Sequence, residues 1–352
     1  MDDVLVVGEA LIDIVERPHA AGPRSTGEAG SDGEAGFNSE AGSDGEAGFN
    51  SEAGSDGRRA EHPGGSPANV ALGLGRLGRQ VGLLTRIGTD PHGASIRALL
   101  EASAVRVEPA SIVDAATSTA TATIDEHGVA SYDFRIDWRL PDSARSLDTL
   151  GPAAPRLALH TGSIATFLQP GGDAVLDLVA SASGRVTVTY DPNARPALMG
   201  AADAALARVE RFVGHSDVVK VSDEDLDWLT PGQDPIDVAA RWLAAGPSIV
   251  VVTRGGQGAM ALCAAGQAEV RARPISVVDT VGAGDSFMSA LIDHLLGADL
   301  LGADRAGDLR AISLAEVEAM LAYAVRISAI TCQRAGADPP TRAELDAGLG
   351  AA

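Results

Sequence analysis

At 352 residues, 45% of them hydrophobic, the chain is long enough to bury one large α/β core or two smaller ones. Acids outnumber bases 48 to 27, giving a net charge of −21, which argues against a basic nucleic-acid or anionic-membrane surface. Lys220 is the single lysine and Val221 follows it, so no GK[ST] phosphate loop exists and a Walker-type ATPase is excluded.

Met1-Asp2-Asp3 puts acids where a signal peptide needs bases, and Glu9 and Asp13 interrupt the first apolar run. No span of about 18 apolar residues follows. Cys263 and Cys332 form neither a disulfide framework nor a zinc spacing, so a reducing cytoplasm is expected. Along the chain, strand patterns fall at 4–8, 81–88, 157–162, 186–191, 217–222 and 248–253. Helical patterns fall at 67–78, 91–103, 171–183, 200–214, 234–245, 284–296 and 314–331. This alternation predicts an α/β fold, a mainly parallel central sheet flanked by helices, in one domain over 1–352. Residues 117–137 alternate around Asp125-Glu126-His127-Gly128 and read as a hairpin. Together with 9–17 and 58–62 they are expected to form a small β lid.

Residues 28–57 repeat two hexads, EAGSDG and EAGFNS. Removing their eight acids would leave a net charge of −13, so the repeat exaggerates the acidity without creating it. With Phe37 and Phe49 as its only large apolar residues, the segment cannot offset its ordering entropy, and a disordered loop is expected. Its deletion should change stability by no more than ~1–2 kcal/mol, because loop-closure entropy grows slowly with length. Melting temperature and turnover of the deleted chain check this; a large loss of either would make the insert part of the working protein.

Several motifs bear on function. GLGRLG (73–78) fits a dinucleotide fingerprint, but PANVAL before it already reads as helix where a strand is required. Close helix packing is the better reading of its glycines. GQGAMA (256–261) follows a strand and precedes another, as a phosphate or adenine loop would. PGGSPANVA (63–71) is either a turn with an N-terminal Pro or a close backbone approach to a polyol, with Asn69 reaching in. Asp13 and DPNAR (191–195) lie at strand ends, where α/β ligand sites form. DTVGAGDSF (279–287) brings bare amides to a helix start, an anion site with a carboxylate beside it.

GGSPANVALGLGRLG and VVDTVGAGDSF, in that order, resemble the two signature regions of the ribokinase-like (PfkB) carbohydrate kinases. TRGGQGA and CQRAGADPPTRAEL are similar to that family's nucleotide loop and C-terminal segment. GEALIDIV, DPNAR and KVSDEDLDWL look most like bacterial fructokinases. The resemblance spans the chain outside the repeat. It implies ATP- and Mg²⁺-dependent phosphoryl transfer to a sugar hydroxyl, most directly fructose at C6. A 2-keto-3-deoxygluconate kinase, a ribokinase or a catalytically weak sugar- or nucleoside-binding regulator are the alternatives.

The same resemblance makes Asp285 the base and Gly282, Ala283 and Gly284 the anion hole. Asp13, Gly64, Gly65, Asn69, Arg135 and Arg195 match sugar-binding positions. Lys220, Ser222, Thr253, Gly255 and Gly258 match the nucleotide site. Asp279, Val281 and Gly336 match a monovalent-cation (K⁺) site, Mg²⁺ being held through the nucleotide phosphates. A homodimer through the lid is also implied. Two positions depart from the family pattern. Pro196 replaces a Glu that organises magnesium water, leaving Arg195 and Glu224 to reshape that network. Pro340 replaces a Ser hydroxyl ligand, which argues against potassium dependence.

Overall fold

The computed structural model describes residues 2–16, 59–124 and 130–348; the hexad repeat and the 125–129 turn lie outside these residues. Strand β1 (Val4–Val7) is followed by β2 (Leu11–Glu16), β3 (Arg59–Gly64), helix α1 (Ser66–Arg76) and β4 (Val81–Leu84). Short β5 (Ile87–Gly88), α2 (Pro91–Ala102), β6 (Val105–Val107) and β7 (Ile112–Val113) lead to β8 (Thr119–Ile124) and β9 (Ala130–Arg135). Then come β10 (Ala158–Gly162), α3 (Gly171–Ala182), β11 (Thr187–Asp191), α4 (Pro196–Met199), α5 (Ala202–Val213) and β12 (Val218–Ser222). Helices α6 (Asp223–Leu229) and α7 (Pro235–Ala245) precede β13 (Ile249–Thr253), β14 (Ala259–Cys263) and β15 (Gly266–Val270). Helices α8 (Ala283–Gly297), α9 (Ala306–Arg310), α10 (Leu314–Thr331) and α11 (Arg342–Asp346) close the chain.

Nine strands form one sheet in the order β15-β14-β13-β12-β11-β10-β1-β4-β6, parallel except at β13–β14–β15. Strand β1 is apolar on both faces because helices cover both; Val4, Leu5, Val6 and Val7 are all fully buried. One face packs Leu72, Leu74, Leu291 and Leu321 from α1, α8 and α10. The other packs Val175, Phe212 and Trp242 from α3, α5 and α7. From β1 the chain runs one way to β4 and β6, then returns to β10 and continues the other way. The carboxyl ends of β1 and β10 therefore flank a switch point, the place where open α/β sheets bind ligands.

A second sheet, ordered β3-β2-β8-β9, begins with β2, just past the carboxyl end of β1. β2 pairs antiparallel with β3 and parallel with β8, placing Asp13 between His62 and Ala120.

The run 81–88 is not one strand. It splits into β4 and β5 because the Thr85 amide turns to Ser111 Oγ and Arg86 turns to Asp137. The helix expected over 200–214 starts at Ala202, after Gly200 takes a left-handed turn. GLGRLG lies in α1 and its last turn, with Gly73 against Ser289 of α8, which removes the dinucleotide reading.

Candidate active site

Asp285 sits in the first turn of α8 and is 6% exposed. Gly282 caps that helix at φ 73°, and a methyl group there would strike Ala337. Glycine is required at this bend. The Asp285 carboxylate accepts three side-chain hydrogen bonds from distant parts of the chain. Ser66 Oγ donates to Oδ1 at 2.7 Å, Asn69 Nδ2 to Oδ2 at 2.8 Å, and Asn193 Nδ2 to Oδ1 at 3.5 Å. Ser66 and Asn69 come from the Pro-primed first turn of α1. Asn193 is presented by a left-handed residue conformation (φ 37°) just beyond β11.

The amides of the α8 entry divide their roles differently from the sequence expectation. Ala283 N–H donates to the Thr280 carbonyl at 3.1 Å, so it is committed to the turn. Among the described residues, the N–H groups of Gly282, Gly284 and Asp285 have no acceptor. The donors free for an anion at this helix end are therefore Gly282, Gly284 and Asp285, with Ala283 shaping the bend.

Lys220 of β12 lies directly beneath. A methyl on Gly284 would stand 3.1 Å from its Nζ. That Nζ donates to Asp191 Oδ2 at 2.8 Å, with the two side chains 4% and 1% exposed. Burial drives the Asp191 carboxyl up to about 6, with Lys220 pulling against that rise. The Lys220 ammonium is held above its ordinary range by Asp191, Asp225 and Asp285, against the opposing effect of burial.

Asp13 faces the same cleft, and a side chain at Gly64 would collide with its Oδ2. Burial raises the Asp13 carboxyl to about 6, while the Arg195 guanidinium lowers it and Asp285 raises it. Arg195 is exposed and donates from Nη1 to Asn193 Oδ1 at 2.8 Å and to the Ala194 carbonyl at 2.8 Å. That contact orients Asn193 so that its amide nitrogen points to Asp285.

Other expected residues are placed apart from this cluster. Arg135 ends β9 with its side chain 81% exposed and paired to Asp133, so it joins none of the converging groups. A strand-end position did not predict its direction, because successive side chains alternate between faces. Ser222 is spent as the cap of α6, accepting from the Asp225 amide at 3.0 Å. Thr253, Gly255 and Gly258 lie at the carboxyl end of β13, two strands from Asp191, with Gly255 and Gly258 at φ 46° and 101°. Asp279 is buried; its Oδ1 accepts the Val281 amide at 3.0 Å and its Oδ2 the Gly336 amide at 2.8 Å.

Sequence reading missed three contributors. Asp225, not Glu224, turns inward: it is 9% exposed, accepts the Ala194 amide at 2.9 Å and completes the α6 capping box, whereas Glu224 is exposed. The Ser222-x-x-Asp225 spacing was the signal that could have found it. Ser66 was hidden in a Ser-Pro helix start. Glu9, 3% exposed, follows β1 at the switch point.

At the carboxyl edge of an open α/β sheet, a carboxylate and amides without acceptors among the described residues stand at one helix start, beside a cleft of further acids. Residues 46–344 match the family model described as pfkB family carbohydrate kinase, and the chain belongs to that family. It is 31% identical over 298 residues to a fructokinase of Rhizobium leguminosarum bv. trifolii, covering 85% of this chain and 81% of that protein. It is 33% identical over 247 residues to a Salmonella typhimurium fructokinase, covering 68% and 78%. A Xylella fastidiosa fructokinase solved with bound ATP superposes with TM-score 0.76 at 20% identity, over 99% of this chain and 98% of that one. A Vibrio cholerae fructokinase double mutant, solved with fructose, ADP and potassium, gives 0.69 at 24% identity over 99% of each.

Proposed function

We propose that the protein transfers the γ-phosphoryl group of ATP to a sugar hydroxyl, with fructose as the substrate and C6 as the acceptor position. The observation that carries this reading is the Asp285 carboxylate, fixed by Ser66, Asn69 and Asn193 beside three amides that have no acceptor among the described residues. Phosphoryl transfer asks a protein mainly to position reactants and stabilise charge. Asp285 accepts the proton of the attacking hydroxyl. The amides of Gly282, Gly284 and Asp285, at the positive end of α8, receive the charge on the transferring group.

Asp13, Gly64, Gly65 and Asn69 hold the sugar, and the four-stranded sheet carrying Asp13 acts as its lid. Arg195 and Lys220 face the phosphates, while Thr253, Gly255 and Gly258 hold the nucleotide. Among the described residues no group of three His, Cys, Asp or Glu side chains is placed to hold a metal ion, and Asp191 is already paired with Lys220. Mg²⁺ arriving with ATP would be held through the nucleotide phosphates and would neutralise their charge. Potassium would have to share the Asp279 oxygens with the Val281 and Gly336 amides, and the buried Pro340 offers no hydroxyl.

Fructose is favoured over other sugars by the fructokinases at 31% and 33% identity. A coupled ADP-release assay over a sugar panel tests this. Fructose should give the highest kcat/KM, magnesium should be obligatory, and exchanging sodium for potassium should change little. A tenfold preference for ribose or 2-keto-3-deoxygluconate would overturn the substrate and keep the reaction. No stimulation by any sugar would overturn the reaction and leave a sugar- or nucleoside-binding regulator. Among the described residues no helix is long and apolar enough to cross a membrane.

A further inference from the structure

Glu9 stands between the two walls of the switch-point crevice. Its backbone touches one wall: a side chain on Gly65, which takes φ 103°, would stand 2.5 Å from the Glu9 carbonyl oxygen. Its side chain reaches the other wall, where Oε2 accepts the Ala165 amide at 3.1 Å. The neighbouring Gly8 is closed in by Pro67 of α1 and by Ala165, so both walls also meet there.

The Ser163–Thr166 turn follows β10 and begins with a non-glycine residue at φ 53°, a conformation that persists only when its surroundings hold it. Glu9 supplies one of those holds from across the crevice. Trp138 Nε1 supplies another, donating to the Ala165 carbonyl at 2.8 Å. Burial raises the Glu9 carboxyl to about 7, against its own amide, Ser163, Ala165 and the Arg195 charge, all of which lower it. An apolar residue would fill the same space without that cost, and buried, perturbed acids in a cleft are enriched at functional sites.

We infer that Glu9 is a positioning residue of the sugar subsite, setting the gap between the Gly64–Gly65 shelf and the Ser163–Thr166 turn. This rests on the sugar-kinase reading, and it assigns Glu9 no contact with the reacting atoms. Loss of the carboxyl lets the turn relax away from the shelf, so the sugar binds less well while the nucleotide loop at Thr253–Gly258, on the far side of β11 and β12, is unaffected.

The test is steady-state kinetics of the full chain with its best sugar, varied against ATP. Glu9→Ala should raise the sugar KM by about tenfold, the scale of one buried hydrogen bond. The ATP KM and kcat should stay within about twofold. Glu9→Gln keeps an acceptor oxygen for the Ala165 amide and should restore most of the sugar KM. If Glu9→Ala does not fold, Glu9→Asp, which draws the carboxyl back by one methylene, should show the same selective rise. A wild-type sugar KM in Glu9→Ala, or equal rises in both KM values, overturns the inference while leaving the kinase reading intact. No sugar-stimulated ADP release from the wild-type chain overturns both.

Discussion

Asp285→Asn is expected to lower turnover by about 10²–10⁴ while leaving sugar and ATP binding within a few-fold of wild type. Asparagine has nearly the same volume, and its amide keeps the two short contacts while giving up the long one from Asn193 at 3.5 Å. Its oxygen can accept from Asn69, while the Ser66 hydroxyl rotates to accept from its nitrogen in place of donating at 2.7 Å. Folding is therefore preserved, and the loss that bears on chemistry is the capacity to take a proton at neutral pH. ATP affinity should hold or rise slightly, because a negative charge beside the phosphate position has been removed. Calorimetric titration of both ligands together with the rate assay checks each half. Near-wild-type turnover would exclude Asp285 as the base, and loss of both binding and turnover would make its role structural.

Much of this site was readable because its chemistry is local. The DTVGAGD run places small residues at a helix start, where only backbone can meet an anion, and α8 begins at Ala283 as that reading requires. Six strands of the main sheet were readable as largely apolar runs, since helices cover both faces, whereas the edge strands β6 and β15 were not read. What could not be read were contacts set by tertiary placement. Ser66 meets Asp285 across 219 residues of chain, and no periodicity marks that partnership. Ala283 N–H is lost to Thr280 because the bend at Gly282 tightens into a turn.

Glu224 and Asp225 are adjacent acids that composition cannot separate, and the capping geometry of α6 decides which turns inward. Arg135 resembled a sugar contact by position, yet its side chain points to solvent beside Asp133. The 81–88 run looked continuous because its apolar residues persist past the point where Thr85 leaves the sheet. In each case the backbone pattern was informative and the direction of a single side chain or amide was not.

Lys220→Met should be the most destabilising single change near the site, and its cost should grow with pH. The ammonium is buried against Asp191 at 2.8 Å, and removing one member of such a pair typically costs about 3–5 kcal/mol, because the other charge remains without its partner. Methionine fills the space, so the loss reports charge and not a cavity. The sign follows from Asp191. Burial already holds its folded carboxyl at about 6, above its unfolded value of 3.8, and Lys220 is what pulls it down.

Without the lysine the folded value rises further. A carboxyl raised in the folded state binds its proton more tightly there than in the unfolded chain. The stability it contributes is present below the unfolded value and is lost as pH rises through the folded one. The wild-type chain loses its share from this group between about pH 4 and 6. The variant continues to lose stability above pH 6, where Asp191 must ionise beside Asp225 and Asp285 with no cation among them. Melting curves should therefore lie closer together at pH 5 than at pH 8, where they should separate by on the order of 10 °C. The double variant Lys220→Met/Asp191→Asn, which removes both charges, should recover most of that gap. A Lys220→Met protein melting within about 2 °C of wild type at pH 8 would show that the Asp191 carboxylate finds another partner or water, and that the buried pair is not what holds the floor of the site.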